Sequence, residues 1–317
     1  MAEQTIAMGK GEIGKKRSKK LTWMKENWIL YLMLMPGVIL TFVFRYIPMY
    51  GVVIAFQNFS PIRGVFGSEW VGFQHFTRFL TSPNFGMIFD NTLRLSVLGL
   101  IAGFPVPIIL ALMINQIRRK GAKKNIQLIL YAPNFISVVV VVGMLFILLA
   151  PTGPVNSIVT MFTGEPIFFM SKPEYFRTIY ILSGIWQGAG WSSIIYTAAL
   201  ANVDTQLYDA AMIDGASLFQ RIRHVELPVL KPTMVVLFIL AAGGIMSVGF
   251  EKAFLMQTAM NLPASEIIPT HVYKVGLLSM DFSFGSAIGL FNTVINLILL
   301  IIVNTIVKKL NEGEGII

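Results

Sequence analysis

The sequence predicts an all-α, polytopic membrane protein with six transmembrane helices and both termini in the cytoplasm. Three observations carry this. Of the 317 residues, 55% are hydrophobic and only 13% charged, and the mean hydropathy is +0.70; soluble domains average about 45–50% apolar and about 25% charged residues. Six apolar runs, 28–47, 88–114, 126–150, 178–201, 233–254 and 284–307, each approach the roughly 20 residues that cross hydrocarbon. With those spans, seventeen Lys and Arg fall on one side and five on the other, and the positive-inside rule puts the richer side in the cytoplasm. The net charge of +9 is therefore read as topology, with no nucleic acid as partner.

Along the chain, residues 1–25 read as a basic cytoplasmic tail, 26–310 as one transmembrane domain, and 311–317 as a second cytoplasmic tail. No small-residue cleavage site follows Trp28–Phe44, so this run is expected to stay as the first span. The loop 48–87, rich in Phe, Gly and Pro, is expected to fold as an outside cap. Pro36, Pro105, Pro107 and Pro133 interrupt spans, which is tolerated in lipid when neighbours satisfy the freed carbonyls. Gly99/Gly103, Gly184/Gly188 and Gly285/Gly289 have the spacing that lets helices approach closely.

Several chemistries are excluded. There is no cysteine, and His75, His224 and His271 lie too far apart in sequence for ligand spacing, so no metal site is expected. Gly9 to Lys16 spells most of a phosphate loop, but Lys16 stands where Ser or Thr is needed and no strand precedes it. Any ATP must then bind elsewhere. No His-Glu-x-x-His, no Gly-x-Ser-x-Gly and no carboxylate–histidine cluster at membrane depth is found, so no catalytic residue is assigned.

The stretch 202–232 is polar and charged between two apolar runs, as befits a segment that touches something soluble. It reads as two short helices. Asp204 caps the first, which ends at Gly215, a good left-handed stop. Ser217 and Gln220 have capping-box spacing for the second. Leu227-Pro228 and Lys231-Pro232 are expected to break that helix before the fifth span. An amphipathic connector lying in the membrane interface is the other reading of this composition.

Asp209-Ala210-Ala211, three residues, Gly215, nine residues, Val225, one residue and Leu227-Pro228 resemble the EAA loop of ABC importer permeases. Asp209 stands where the family has Glu, and Val225 where it has Ile. Asp214 belongs to the fuller Asp-Ala-Ala-Met-Ile-Asp-Gly-Ala-Ser form, which resembles the sugar-importing, MalF-like branch. Leu32 to Gly37, Tyr46 to Phe56, Asn91-Thr92, Tyr273 to Leu277 and Ala287 to Phe291 are similar to the LplB-type permeases for complex oligosaccharides. The resemblance covers about residues 25–310. It implies the type I importer permease (MetI-like) fold in a bacterial plasma membrane, as a multi-pass protein. It also implies a homologous second permease subunit, a cytoplasmic ATPase dimer that hydrolyses ATP with Mg, and an extracytoplasmic sugar-binding protein. This chain would bind no cofactor itself. Residues 209–215 would be the coupling helix seated on the ATPase.

A sugar path needs aromatic faces and hydroxyl or amide partners. Trp186, Gly190, Ser193 and Thr197 share one stripe of the fourth span, with Gln187 and Trp191 beside it. The stripe fits a cavity wall and a packing face equally. Arg94, Glu251 and Lys252 lie near outer ends of spans; cationic walls there would suit uronate oligomers such as those from pectin or alginate, while adjacent Glu251 and Lys252 also fit mutual compensation. The alternative function is an ion-gradient-driven secondary transporter. It calls for carboxylates in mid-span, which Asp90, Asp209, Asp214, Glu226 and Asp281, all placed near or outside span ends, do not provide.

Overall fold

The computed structural model describes residue 23 and residues 26–246 and 248–310; the two tails read from sequence, and the phosphate-loop look-alike, lie almost wholly outside this range. The described residues are mostly helical and include one two-stranded ribbon.

The first span, α1, runs Trp28–Phe56 and does not stop at residue 47. Pro48 cannot donate to the carbonyl one turn before it, and its ring crowds that carbonyl. The backbone widens into a π-turn over Phe42–Tyr46, which moves the obstructed carbonyl aside, and the helix continues, tightening to a 3-10 coil over Tyr50–Phe56. No residue of Trp28–Thr41 is buried.

The expected outside cap is folded. Strands β1 (Gln57–Asn58) and β2 (Glu69–Trp70) pair antiparallel, and Phe56 stacks on Trp70 with centroids 5.7 Å apart. Helix α2 (Gln74–Leu80) is tied to the start of the last span by Arg78–Asp281 at 2.8 Å, and the Phe59 N–H donates to Ser283 Oγ at 2.9 Å.

Helix α3 (Phe85–Asn115) passes Pro105 and Pro107 without a large bend. The expected third span, 126–150, is two helices instead. Helices α4 (Lys120–Phe135) and α5 (Val138–Leu148) meet at 95°. Pro133 winds 132–135 into a 3-10 turn, Ile136 is extended with ψ 130°, and the Ser137 hydroxyl accepts from Val140 N–H to cap α5. After α6 (Pro154–Thr163) comes α7 (Pro173–Ala201), 29 residues and about 44 Å long. It packs against α3, α4 and the later helix α9, which makes it the axis of the bundle.

Helix α8 (Thr205–Ile213) precedes α9 (Leu218–Gly243). Here too the prolines do not break the helix. A π-turn over Ile222–Glu226 precedes Leu227-Pro228, and Pro232 sits inside a continuous helix. The expected span 233–254 ends early, at Gly243-Gly244. Met246 then donates its N–H to Asn296 Oδ1 at 2.8 Å and accepts from Asn292 Nδ2 at 3.4 Å, so a neighbouring helix satisfies the interrupted backbone. Helices α10 (Phe250–Met256), α11 (Leu262–Ser265) and α12 (Ile268–Val272) return the chain to α13 (Phe282–Leu310). Among the described residues, four helices, α1, α3, α9 and α13, are long and apolar enough to cross a membrane, and the count is five if the bent pair α4–α5 is taken as one span.

Candidate transmission site at the basic end of the bundle

Local sequence builds the α8–α9 corner. The Asp204 carboxylate accepts from Gln206 N–H at 2.9 Å and caps α8. At the other end Gly215 has φ +75°; its N–H donates to Met212 O and the Ala216 N–H to Ala211 O, the paired bonds of a Schellman stop. Ser217 N–H donates to Gln220 Oε1 at 2.7 Å, and Gln220 N–H donates back to Ser217 Oγ at 3.4 Å. The caps leave a rigid knob. Asp209, Ala210, Asp214, Gly215 and Pro228 are exposed, and Ala211 and Leu227 are half-buried. Large apolar side chains also stand out from it, Ile213 at 86% exposure and Phe219 at 70%. A cleft of about 290 Å³ opens beside the glycine turn, lined by Ala211, Asp214, Gln220, Arg221 and His224.

Behind the knob sits Glu226, to which the sequence assigns no role beyond a place near a span end. Glu226 is wholly buried. Its Oε1 accepts from Asn115 Nδ2 at 2.9 Å, Gln116 Nε2 at 2.8 Å and the Tyr208 hydroxyl at 3.1 Å. The end of α3, helix α8 and the π-turn of α9 thus meet at one oxygen. Burial of the Tyr208 phenol, and then the neighbouring Glu226 charge, push its pKa up. The only sequence signal was a carboxylate placed directly before an apolar helix.

The residues read as a sugar path separate into groups. Ser193 is buried and donates to Gly190 O at 2.6 Å. Gly190 itself faces the backbone of α4, where a Cβ would stand 1.9 Å from Leu130 O. Gln187 Nε2 donates to Ile136 O at 2.8 Å, and Trp191 packs edge-on to Phe135 at 5.4 Å, so both brace the α4–α5 bend. Trp186 lines an apolar cavity of about 370 Å³ between α5 and α7. Arg94 is exposed and pairs with Asp90 at 2.7 Å. Glu251 is exposed, whereas Lys252 is buried; Lys252 Nζ donates to Tyr180 O at 2.9 Å and lies 4.9 Å from the Tyr180 ring centre.

Two open cavities follow the glycine-rich flank of α7. The larger, about 590 Å³, is bounded by Phe104, Trp191, Tyr196 and Leu237; the smaller, about 270 Å³, reaches Tyr180 and Gly184. They share Gly99, Gly103, Pro107 and Ser192, which makes them one groove between α3 and α7. Lys252 Nζ lies 3.3 Å from where a Gly184 Cβ would stand, at the groove's Tyr180 end. Near the cap, Glu266 Oε1 lies 3.3 Å from His271 Nδ1 and 3.4 Å from Lys274 Nζ.

A family model, binding-protein-dependent transport system inner membrane component, matches residues 103–312. The chain belongs to that family. This permease is 45% identical over 302 residues to the polygalacturonan/rhamnogalacturonan transport system permease protein YteP of Bacillus subtilis (strain 168), covering 95% of this chain and 94% of that one. It is 40% identical over 303 residues to Protein LplB of the same organism, covering 94% and 95%. A chain in the crystal structure of a bacterial ABC transporter that imports the acidic polysaccharide alginate superposes with a TM-score of 0.84 at 37% identity, covering 92% of this chain and 99% of that one. A chain of the bacterial alginate transporter in complex with an alginate pentasaccharide-bound periplasmic protein gives the same TM-score and identity. The protein is thus a membrane permease component of an ABC importer and carries no enzymatic activity of its own.

Proposed function

We propose that this permease imports uronate-containing oligosaccharides and that its α8 knob couples transport to a separate ATPase. The capped, outward-facing corner at Asp209–Gly215 is the observation that carries the coupling half. Its fixed turn and small side chains suit a groove on a protein partner. The transport names and titles of the relatives, which give polygalacturonan/rhamnogalacturonan and alginate, support the acidic cargo. So does Lys252, a buried cation whose hydrogen bond goes to a neutral carbonyl at the end of the groove. Arg94, already paired with Asp90, is the weaker candidate.

The working unit would be a heterodimer of this chain with a homologous second permease. Each permease would have six crossings, α7 and the α4–α5 pair included, with cytoplasmic termini. An ATPase dimer, using ATP and Mg, would bind the knobs, and an extracytoplasmic sugar-binding protein would dock at the cap end. The unburied face of α1 is then available to lipid and to the second permease. ATP-driven closure of the ATPase would move the knobs and tilt the bundles, switching access between two states. Nucleotide and loaded binding protein would each bias that equilibrium.

The assay is uptake into proteoliposomes by the complete importer, with a charged uronate oligomer and a neutral oligosaccharide of equal length. Lys252→Met is expected to lower acidic uptake about tenfold or more while neutral uptake changes little, the size set by a coupling of about 1–3 kcal/mol. Equal losses for both sugars would remove the acidic reading. Uptake driven by an ion gradient without any ATPase would favour the secondary transporter instead.

A further inference from the structure

Glu226 is a fully buried side chain with three donors converging on one oxygen, and those donors come from two other parts of the fold. Asn115 and Gln116 stand at the end of α3, more than a hundred residues away in sequence. Tyr208 lies on α8, directly before Asp209. Glu226 itself closes the π-turn that leads into Leu227-Pro228. A hydrophobic replacement would leave all three donors without this acceptor. Its second oxygen, Oε2, has no partner among the described residues, nor has the buried Nε of Arg221 one turn earlier.

We propose that Glu226 is the positioning residue through which movement of the α8 knob reaches the bundle. The inference rests on the coupling role given to the knob above. Displacing α8 pulls Tyr208, and Tyr208 pulls a group already fastened to α3 and built into α9. Two membrane helices therefore feel one displacement. The unused Oε2 and Arg221 Nε are the spare acceptor and donor that a second arrangement of the corner needs, so the junction is suited to two states rather than to a rigid weld. Ordinary packing would hold the corner together equally well with apolar side chains. A buried polar group bonded to both sides of a moving joint is the less economical choice unless the joint must register movement.

The experiment uses the whole importer in proteoliposomes and reads sugar moved per ATP hydrolysed. Glu226→Ala, which strands all three donors, is expected to lower that ratio by about fivefold or more. Glu226→Gln keeps an oxygen able to accept from them and should bring the ratio back to within about twofold of the parent. Tyr208→Phe, which removes the hydroxyl's bond to Glu226 and the one it accepts from Asn115 Nδ2, cuts the polar links of α8 to this junction and should lower the ratio about twofold to fivefold. Gly215→Pro serves as the reference for the knob. If Glu226→Ala reduces only the yield of assembled importer, and the assembled fraction keeps the parental ratio, the positioning role is overturned. A parental ratio for Tyr208→Phe overturns it as well, because that variant leaves Glu226 anchored to α3. If Gly215→Pro leaves the ratio unchanged, the coupling role of the knob falls and this inference with it. Uncoupling by Gly215→Pro alone removes only Glu226.

Discussion

The close approach of α7 to α4 at Gly190 gives a prediction whose sign and size can be worked from distances. A Cβ at this position would stand 1.9 Å from the Leu130 carbonyl oxygen, 2.6 Å from its carbon and 3.2 Å from its Cβ. An ordinary carbon–oxygen contact is about 3.3 Å, so Gly190→Ala must part the helices by about 1.4 Å. The obstacle is backbone and cannot turn aside. Overpacking of this kind costs about 1–3 kcal/mol, and the rigid obstacle puts this site at the upper end. Alanine also favours helix over glycine by about 1 kcal/mol, which offsets part of the cost. Gly188, on the same helix, has nothing within 4 Å of the corresponding Cβ, so Gly188→Ala receives the helix gain alone. The two substitutions should therefore move stability in opposite directions. At about 2–4 °C per kcal/mol, they should differ in melting temperature by roughly 4–12 °C. Thermal unfolding of the purified importer in detergent reads this directly. A Gly190→Ala protein that melts with or above Gly188→Ala would refute the reasoning and mean that α4 can withdraw freely.

Two further outcomes follow from local geometry. Ser217→Ala removes one half of the capping box that starts α9 and should destabilise the corner by about 0.5–2 kcal/mol, seen as faster amide exchange at residues 218–221; unchanged exchange would show that the corner is held by packing alone. Glu266 accepts from His271, which holds its carboxyl below the ordinary value of 4.5, with Lys274 adding to the effect. A carboxyl with a depressed folded pKa contributes stability above 4.5 and loses it as the pH falls through the folded value. Melting temperature should therefore drop below about pH 4.5, and Glu266→Gln should flatten that acid limb; an identical limb in the variant would exclude Glu266 as its source.

What could be read from sequence was what neighbouring residues decide. Asp204, Gly215, Ser217 and Gln220 act within a few positions of themselves, and the α8 corner has the caps and stop their spacing predicts. The apolar runs likewise located helices. Their ends and breaks depart from the local pattern where tertiary context intervenes, most often at a proline. Pro48, Pro228 and Pro232 looked like stops, but two π-turns and an unbroken helix carry the chain past them. Pro133 looked like a kink and is a corner, because Ser137 can start a new helix and Gln187 can satisfy Ile136. The early end of the fifth run depends on Asn292 and Asn296, and the setting of Glu226 on Asn115 and Gln116, all distant in the chain. No window of local sequence contains such pairs. The stripe on α7 shows the same limit: Gly190 and Ser193 face inward against backbone while Trp186 and Trp191 face out, a distinction that periodicity alone leaves open.

The first helix has a consequence for how the molecule is put together. Its Trp28–Thr41 stretch buries nothing within the chain, while its far end, Tyr50–Phe56, packs against α13. It is moored at one end only, like a boom. In a bilayer its backbone is satisfied without neighbours, so the free arm can stand alone in lipid. Docking of the second permease proposed above would then need no refolding of the remaining helices, and the mooring at the cap would set the angle at which the arm is offered.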